Sequence, residues 1–319
     1  MKKKIKLLTH NDLDGVGCYI VAKILLAHQH HYSVEVTYCT HSNIQEMMSE
    51  TILKGDDYEH IYMTDIVVYD DYIQQFFTPE VVEKTTIIDH HKSALDLNKY
   101  DFAHICIQRD DKLMSGTYLF YQYLKKTYEF KLQLDIFNKL ERFVEAVRSY
   151  DTWDWSKYNN LLAKDINDLL YIKGIKNFAE DMIEILLDTS DNLLLRETDC
   201  VLLTSERHRI SNYIKAKEKD IFELQLYEYH LGVIFAEQYV SELGNQIALN
   251  YPEYDAIAII GSRAVSLRTV KEDIDVSVLA KRFNGGGHQK AAGFPLTTDV
   301  VSDYINIIFR KKRLRNELL

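Results

Sequence analysis

The sequence predicts an α/β protein: an N-terminal, mainly parallel sheet with helices on both faces, followed by a smaller C-terminal α/β domain. Three observations predict it. Short apolar, β-branched runs alternate with helical stretches over about the first 110 residues, the pattern of βαβ units with right-handed crossovers. The middle of the chain then turns helical throughout, and strand–helix alternation resumes near Leu231. At 319 residues the chain has the length for about two domains. We expect a first domain over 1–190, a linking helix over 191–224 and a second domain over 225–319.

The elements follow in order. Ile5–Leu8 reads as a buried strand, and Gly15–Ala27 has helical periodicity. Val34–Cys39, Ile61–Thr64 and Thr85–Ile88 are short apolar strands with helical material between them. Thr117–Lys125, Ile136–Arg148 and Leu161–Leu170 carry apolar residues at three- and four-residue spacing, as helices do. The stretch from Asp191 to Glu223 is charged and poor in apolar anchors, which suits a linking helix. Leu231–Phe235, Ala256–Ile260 and Val265–Thr269 are further strands, Glu242–Leu249 is a helix, and a glycine-rich turn precedes the final helix.

Composition excludes several function classes. A chain 46% hydrophobic and 27% charged is neither disordered nor fibrous. With 38 basic against 48 acidic residues the net charge is −10, so long duplex DNA is not an expected partner, because holding it takes a basic footprint. No apolar run approaches the roughly 18 residues that span a bilayer, and Met1–Leu8 does not read as a signal peptide. The four cysteines, Cys18, Cys39, Cys106 and Cys200, are scattered without a C-x-x-C pair. That argues against a disulfide framework and for reduced thiols in the cytoplasm.

Acidic and histidine clusters follow the strands. His10-Asn11-Asp12-Leu13-Asp14-Gly15 follows the first, Asp65 ends Ile61–Thr64, and Asp89-His90-His91 ends Thr85–Ile88; Asp151 lies in the helical region beyond. In open parallel sheets ligands bind beyond the carboxyl ends of the strands, so the first three clusters are expected to converge. A single Asp after a strand is ordinarily a helix N-cap, but three such clusters at successive strand ends are poorly explained that way. Crowded carboxylates repel unless cations sit among them, and carboxylate with imidazole suits Mn²⁺ or a similar ion. Two such ions can activate water and polarise a phosphoryl group. Gly15-Val16-Gly17 is not a dinucleotide fingerprint, since Ile20 stands where the third glycine belongs. His28-Gln29-His30-His31 reads as a solvated helix end, and Trp153 and Trp155 as packing residues. Near the C-terminus, Gly285-Gly286-Gly287-His288 can bring backbone amides close to an anion. Lys290, Arg263 and Arg268 nearby favour a phosphate or nucleotide clamp over a plain turn.

These residues resemble the DHH phosphoesterases that carry a C-terminal DHH-associated domain with a G-G-G-H signature. Asp89-His90-His91 is the naming motif, Asp12-Leu13-Asp14-Gly15 the first motif, Asp65 and Asp151 the isolated acids, and Gly285–His288 the C-terminal signature. The short two-domain build is similar to the nano-RNase and cyclic-nucleotide phosphodiesterase (NrnB-like) branch. Two departures stand out: Cys18 replaces a frequent serine, and His10 lies only two residues before Asp12. The resemblance implies two divalent ions, Mn²⁺ with Mg²⁺ or Co²⁺ as alternatives. One would be held by His10, Asp12 and Asp65, the other by Asp14, Asp65, His90 and Asp151. It implies a catalytic pair in which Asp89 orients a histidine and His91 faces the substrate phosphate. It also implies substrate contacts from Arg268, Gly285, Gly286, Gly287 and His288, with Ser115 opening a helix either as a phosphate contact or as a simple N-cap. The expected activity is hydrolysis of short oligoribonucleotides to 5′-mononucleotides. Alternatives are a cyclic dinucleotide or cyclic mononucleotide phosphodiesterase, a 3′-phosphoadenosine 5′-phosphate phosphatase, or a catalytically inactive nucleotide-binding module. Expected partners are short single-stranded RNA or small nucleotides, without duplex DNA or membrane, and a homodimer is compatible.

Overall fold

The computed structural model describes residues 3–316. Contacts divide the chain into two units, Met1–Leu203 and Thr204–Leu319. In the first unit β1 (Lys4–His10) runs into α1 (Leu13–Ala22), which continues as a π-helical segment, Lys23–Gln29. The helix expected over Gly15–Ala27 therefore changes its winding near residue 23. There follow β2 (Ser33–Cys39), α2 (Ile44–Leu53), β3 (His60–Thr64), α3 (Asp70–Phe76), α4 (Pro79–Lys84), β4 (Thr85–Asp89) and β5 (Ala103–Ile105). A two-residue hairpin, β6 (Gln108–Arg109) and β7 (Lys112–Leu113), leads into the helical part: α5 (Gly116–Thr127), α6 (Leu134–Asp151), α7 (Asp154–Lys157), α8 (Leu161–Lys173) and α9 (Ile175–Leu187).

Among the described residues, β1–β5 form a parallel sheet in the order β2-β1-β3-β4-β5. Strands buried on both faces read as near-continuous apolar runs, which is how Leu7-Leu8 and Ile87-Ile88 appear in the sequence. The faces divide by residue parity. Ile5, Leu7 and Tyr62 pack with α1, α5, α6, α8 and α9, while Leu8, Ile61 and Met63 pack with α2 and α3 on the other side. Because β2 lies to one side of β1 and β3 to the other, successive connections leave the sheet in opposite directions between β1 and β3. A crevice opens at such a switch point, beyond the carboxyl ends of the strands.

α10 (Glu197–Lys217) spans the division between the units. It is not wholly free of core: Leu203 packs within the first unit and Ile214 within the second. The last residues expected in the linking helix instead form β8 (Phe222–Leu226), an edge strand paired antiparallel with β9 (Tyr229–Phe235). The second unit adds α11 (Val240–Asn250), β10 (Ala256–Ile260), β11 (Ala264–Arg268), α12 (Val276–Lys281), β12 (Gly286–Gly287), β13 (Ala291–Pro295) and α13 (Thr298–Asn316). Its sheet is mixed, ordered β12-β13-β11-β10-β9-β8, with β9 and β10 parallel. One face carries Leu231, Val265, Leu267 and Leu279, and the other Ile234, Leu243, Ile247 and Ile257.

Candidate active site

The crevice beside β1 and β3 collects the acidic and histidine residues that follow β1, β3 and β4, together with Asp151. β1 ends at His10, and Asp12 is the N-cap of α1: its Oδ1 accepts the Gly15 amide at 3.1 Å. Its other oxygen faces His10 Nδ1 at 2.8 Å. The cap and the candidate ligand are thus one residue, with one oxygen for each task. Burial is the largest single influence and pushes the Asp12 carboxyl up, but the hydrogen bond and charge of His10 together with the Gly15 amide outweigh it, and the net shift is down. The same bond raises His10.

Asp65 follows β3 in a left-handed conformation, φ 58°, and its amide donates to Ile88 O at 3.0 Å. The carboxylate is 2% exposed. One oxygen lies 3.2 Å from His90 Nε2; the other, Oδ2, is 4.0 Å from His10 Nδ1 and is buried without a hydrogen-bond partner. Burial, and after it the charges of Asp14 and Asp12, push Asp65 well above the usual carboxylate range. Asp151, the last residue of α6, places Oδ2 3.6 Å from His90 Nε2 and is pushed up to about 8, first by burial and then by Asp14 and Asp12.

Asp14 is held differently. Both of its oxygens accept backbone amides from the start of α5, Gly116 N to Oδ2 at 2.5 Å and Thr117 N to Oδ1 at 2.8 Å, while Thr117 Oγ1 donates to the Asp14 carbonyl. A helix N-terminus is a favourable seat for an anion, and here a carboxylate of the chain occupies it. A Cβ on Gly116 would stand 2.6 Å from Asp65 Cβ, so only glycine lets α5 approach so closely. Ser115 is fully buried and caps α5, its Oγ accepting the Tyr118 amide at 3.3 Å. Of the two expectations for Ser115, the N-cap is the one described, and the adjacent amides are committed to Asp14 rather than open to a phosphate.

Asp89 ends β4 with Oδ1 accepting both the His90 amide and His91 Nδ1, each at 2.8 Å. That hydrogen bond, more than opposing desolvation, lifts His91 to about 9. Its side chain is 43% exposed, while Asp89 is buried.

Among the described residues, ligand-type atoms thus gather in three overlapping sets, each within 4.8 Å: His10, Asp12 and Asp65; Asp14, His90 and Asp151; and Asp65, Asp89, His90 and His91. Carboxylates this close, with an orphaned buried oxygen on Asp65, are not self-compensating. The donor set of carboxylate oxygens and imidazole nitrogens fits divalent cations of the Mn²⁺ or Mg²⁺ type.

Several functional neighbours escaped the sequence. Arg148 is buried on α6, three residues before Asp151, and binds Glu145, Asp154 Oδ2 at 2.9 Å and Leu113 O at 2.9 Å. It thereby ties the end of α6 to the segment leading into α5. Its only sequence signal was a basic residue near a run of acids. Trp153, expected in packing, is instead 70% exposed. His30 packs against Tyr32, Tyr128 and Phe130, and among the described residues it belongs to none of the three ligand sets.

In the second unit, Asn284 precedes the glycines with φ 58°, and His288 and Ala291 close the β12–β13 hairpin through paired backbone bonds. A Cβ on Gly285 would lie 2.1 Å from Gly293 O, and one on Gly287, at φ 139°, 2.5 Å from Ala292 Cα. Those two glycines are required by the hairpin itself. Gly286 faces open space. Arg268 leans across α11, Nη2 reaching Ser241 Oγ at 3.2 Å. Lys290 is engaged with the Lys271 carbonyl and Glu272.

No family model matches the chain. It is similar over 313 residues, at 36% identity, to oligoribonuclease NrnB of Bacillus subtilis, covering 95% of this chain and 76% of that one. Among solved structures it resembles a pGpG-specific phosphodiesterase, PggH, from Vibrio cholerae, with a TM-score of 0.55 at 12% identity, over 96% of this chain and 98% of the other. It also resembles RecJ in complex with Mn²⁺ from Thermus thermophilus, with a TM-score of 0.54 at 14% identity, over 95% of this chain and 51% of RecJ. The two structural likenesses share the fold. The sequence relationship to the Bacillus enzyme, with the crevice built around Asp89-His90-His91, makes the chain a member of the DHH phosphoesterase family, in its NrnB-like branch, and a metal-dependent enzyme.

Proposed function

We propose that the protein hydrolyses short oligoribonucleotides to 5′-mononucleotides. The observation that carries this reading is the pair of ligand sets meeting at Asp65 and His90, because a binding module has no need of a shared buried carboxylate. His10, Asp12 and Asp65 would hold one divalent cation, and Asp14, Asp65, His90 and Asp151 the other. Such a pair, when bound, supplies Lewis-acid polarisation of the phosphoryl group and eases deprotonation of water.

The chain's own residues do the rest. The amides of Gly116 and Thr117 fix the orientation of Asp14, and Arg148 fixes the end of α6 that carries Asp151. Asp89 holds His91 through Nδ1, which leaves Nε2–H facing outward. Water adds to phosphorus in line and releases a proton to solvent, the bond from phosphorus to the 3′-oxygen breaks, His91 Nε2 gives its proton to that leaving oxygen, and the imidazole is reprotonated from solvent. A histidine raised to about 9 is protonated at neutral pH and ready to donate. In the second unit, the open Gly286 position, His288 and Arg268 are the candidate contacts to a nucleotide. The name of the Bacillus relative supports the same substrate class.

The reading is tested by product analysis with Mn²⁺ on a dinucleotide, a five-mer, a 24-mer, cyclic di-AMP, cyclic AMP and 3′-phosphoadenosine 5′-phosphate. Fastest release of 5′-mononucleotides from the dinucleotide or five-mer is expected. Fastest turnover of a cyclic nucleotide or of the bisphosphate would replace this reading with that one.

A further inference from the structure

Beyond the acidic crevice, α6 stops at Asp151 and α7 starts at Asp154, and Trp153 between them has φ 63° and ψ 6°. That left-handed conformation is at home in glycine or asparagine, and a bulky aromatic residue there is an outlier. Such strain persists where the surroundings over-determine the backbone, and it clusters at functional sites. The surroundings here do so. Arg148 Nη1 binds Asp154 Oδ2 and, at 3.3 Å, Thr152 Oγ1. Thr152 Oγ1 donates to Arg148 O at 2.8 Å, the Trp153 amide to Tyr150 O at 3.2 Å, and the Ser156 amide to Trp153 O at 3.2 Å.

The strain does not serve packing, for the indole is 70% exposed. Its ring adjoins a stacked pair: Tyr150 and Trp155 stack at 6.0 Å and 17°, and Trp153 lies against Trp155 at 6.1 Å, tilted by 31°. The position is also fixed by chain length, since two residues span at most about 7 Å. The backbone that carries the exposed Trp153 is therefore held within about 7 Å of Asp151, whose carboxylate lies 3.6 Å from His90.

We propose that the Trp153 indole is a stacking platform for the nucleobase next to the scissile phosphate. This inference rests on the nucleotide reading above. Base–aromatic stacking tolerates every base, because each has a π-face, and it suits an enzyme that must accept short fragments of any sequence. It adds recognition without adding charge to a crevice already crowded with carboxylates.

The test compares a dinucleotide with an abasic counterpart in the Mn²⁺-loaded protein. The wild type should favour the dinucleotide through KM. In Trp153→Ala that preference should shrink by roughly 10–100-fold, the range expected for one stacked base, and Trp153→Phe should restore most of it. Trp153→Gly should lose the preference likewise while melting at or above the wild-type temperature, because glycine takes φ 63° without penalty. The chain has two tryptophans, so Trp155→Phe leaves Trp153 as the reporter. Its emission should be quenched by AMP and not by ribose 5-phosphate. An undiminished preference in Trp153→Ala, equal quenching by both ligands, or a lower melting temperature in Trp153→Gly would overturn the stacking role. Wild-type failure to turn over any nucleotide would overturn the substrate reading itself, a result visible before any variant is made.

Discussion

Asp65 shows how much a single buried group can be asked to hold. Its carboxylate is sealed among Asp12, Asp14 and Asp151, with one oxygen unpartnered, so in chelator it destabilises the fold that it serves when cations bind. Asp65→Asn should therefore melt higher than wild type in EDTA, by the equivalent of about 1–2 kcal/mol, and should lose most of the stabilisation added by Mn²⁺. A variant that melts lower in EDTA yet still gains the full Mn²⁺ shift would contradict the shared role. Arg148 works in the opposite sense. Its guanidinium is 3% exposed between the partly exposed Glu145 and Asp154, and removing it leaves both carboxylates and the Leu113 carbonyl without their partner. Arg148→Met should cost roughly 2–4 kcal/mol in urea denaturation and weaken Mn²⁺ binding by freeing the end of α6. An unchanged Mn²⁺ titration would show that the clamp serves stability alone.

Single elements carry two further expectations. The first turn of α5 is a hydrogen-bonding cradle for Asp14, and outer partners of this kind typically change metal affinity by about 10–100-fold. Gly116→Ala, whose methyl would press on Asp65, should fall in that range by calorimetric titration with Mn²⁺, while far-ultraviolet circular dichroism stays that of the wild type. On β3, His60 is half-buried, with Nε2 2.9 Å from Thr86 Oγ1, and burial lowers its pKa to about 4. Below about pH 6.5 the unfolded chain binds a proton that the folded chain refuses, so stability falls as pH drops from about 6.5 towards 4. Between pH 7.5 and 5.0 the wild type should lose about 1–2 kcal/mol more than His60→Gln in urea denaturation. Equal losses would mean that the imidazole is already solvated in the fold.

For the whole molecule the governing quantity is charge. A net charge of −10 leaves little positive potential for a phosphate backbone. Each neutralised phosphate of a single strand contributes a log–log salt slope of roughly −0.7. Binding of short RNA should therefore show a slope of only about −1 to −2, and a 24-mer should gain little affinity over a five-mer. A steep slope that grows with substrate length would mean that an extended basic track exists. No described helix is long and apolar enough to cross a membrane.

Much of the catalytic unit could be read directly from the chain. Buried parallel strands are continuous apolar runs, and carboxylates and histidines placed just after them must fall at one sheet edge, so Asp12, Asp65 and Asp89-His90-His91 announced a shared crevice through local order alone. Long-range decisions were not encoded that way. Nothing near Gly116 in the sequence says that its amide will serve Asp14, 102 residues away. Nothing beside Trp153 says that α6 will stop at Asp151 and turn the indole outward on a strained backbone. In the glycine run, three identical letters acquired different jobs, because the β12–β13 hairpin consumes Gly285 and Gly287 and leaves Gly286 open. Residue type and spacing determined which chemistry this protein can perform. Which groups are spent on holding others, and which are left free for a substrate, only the packing of distant segments decided, because hydrogen-bond partners are chosen by proximity in space.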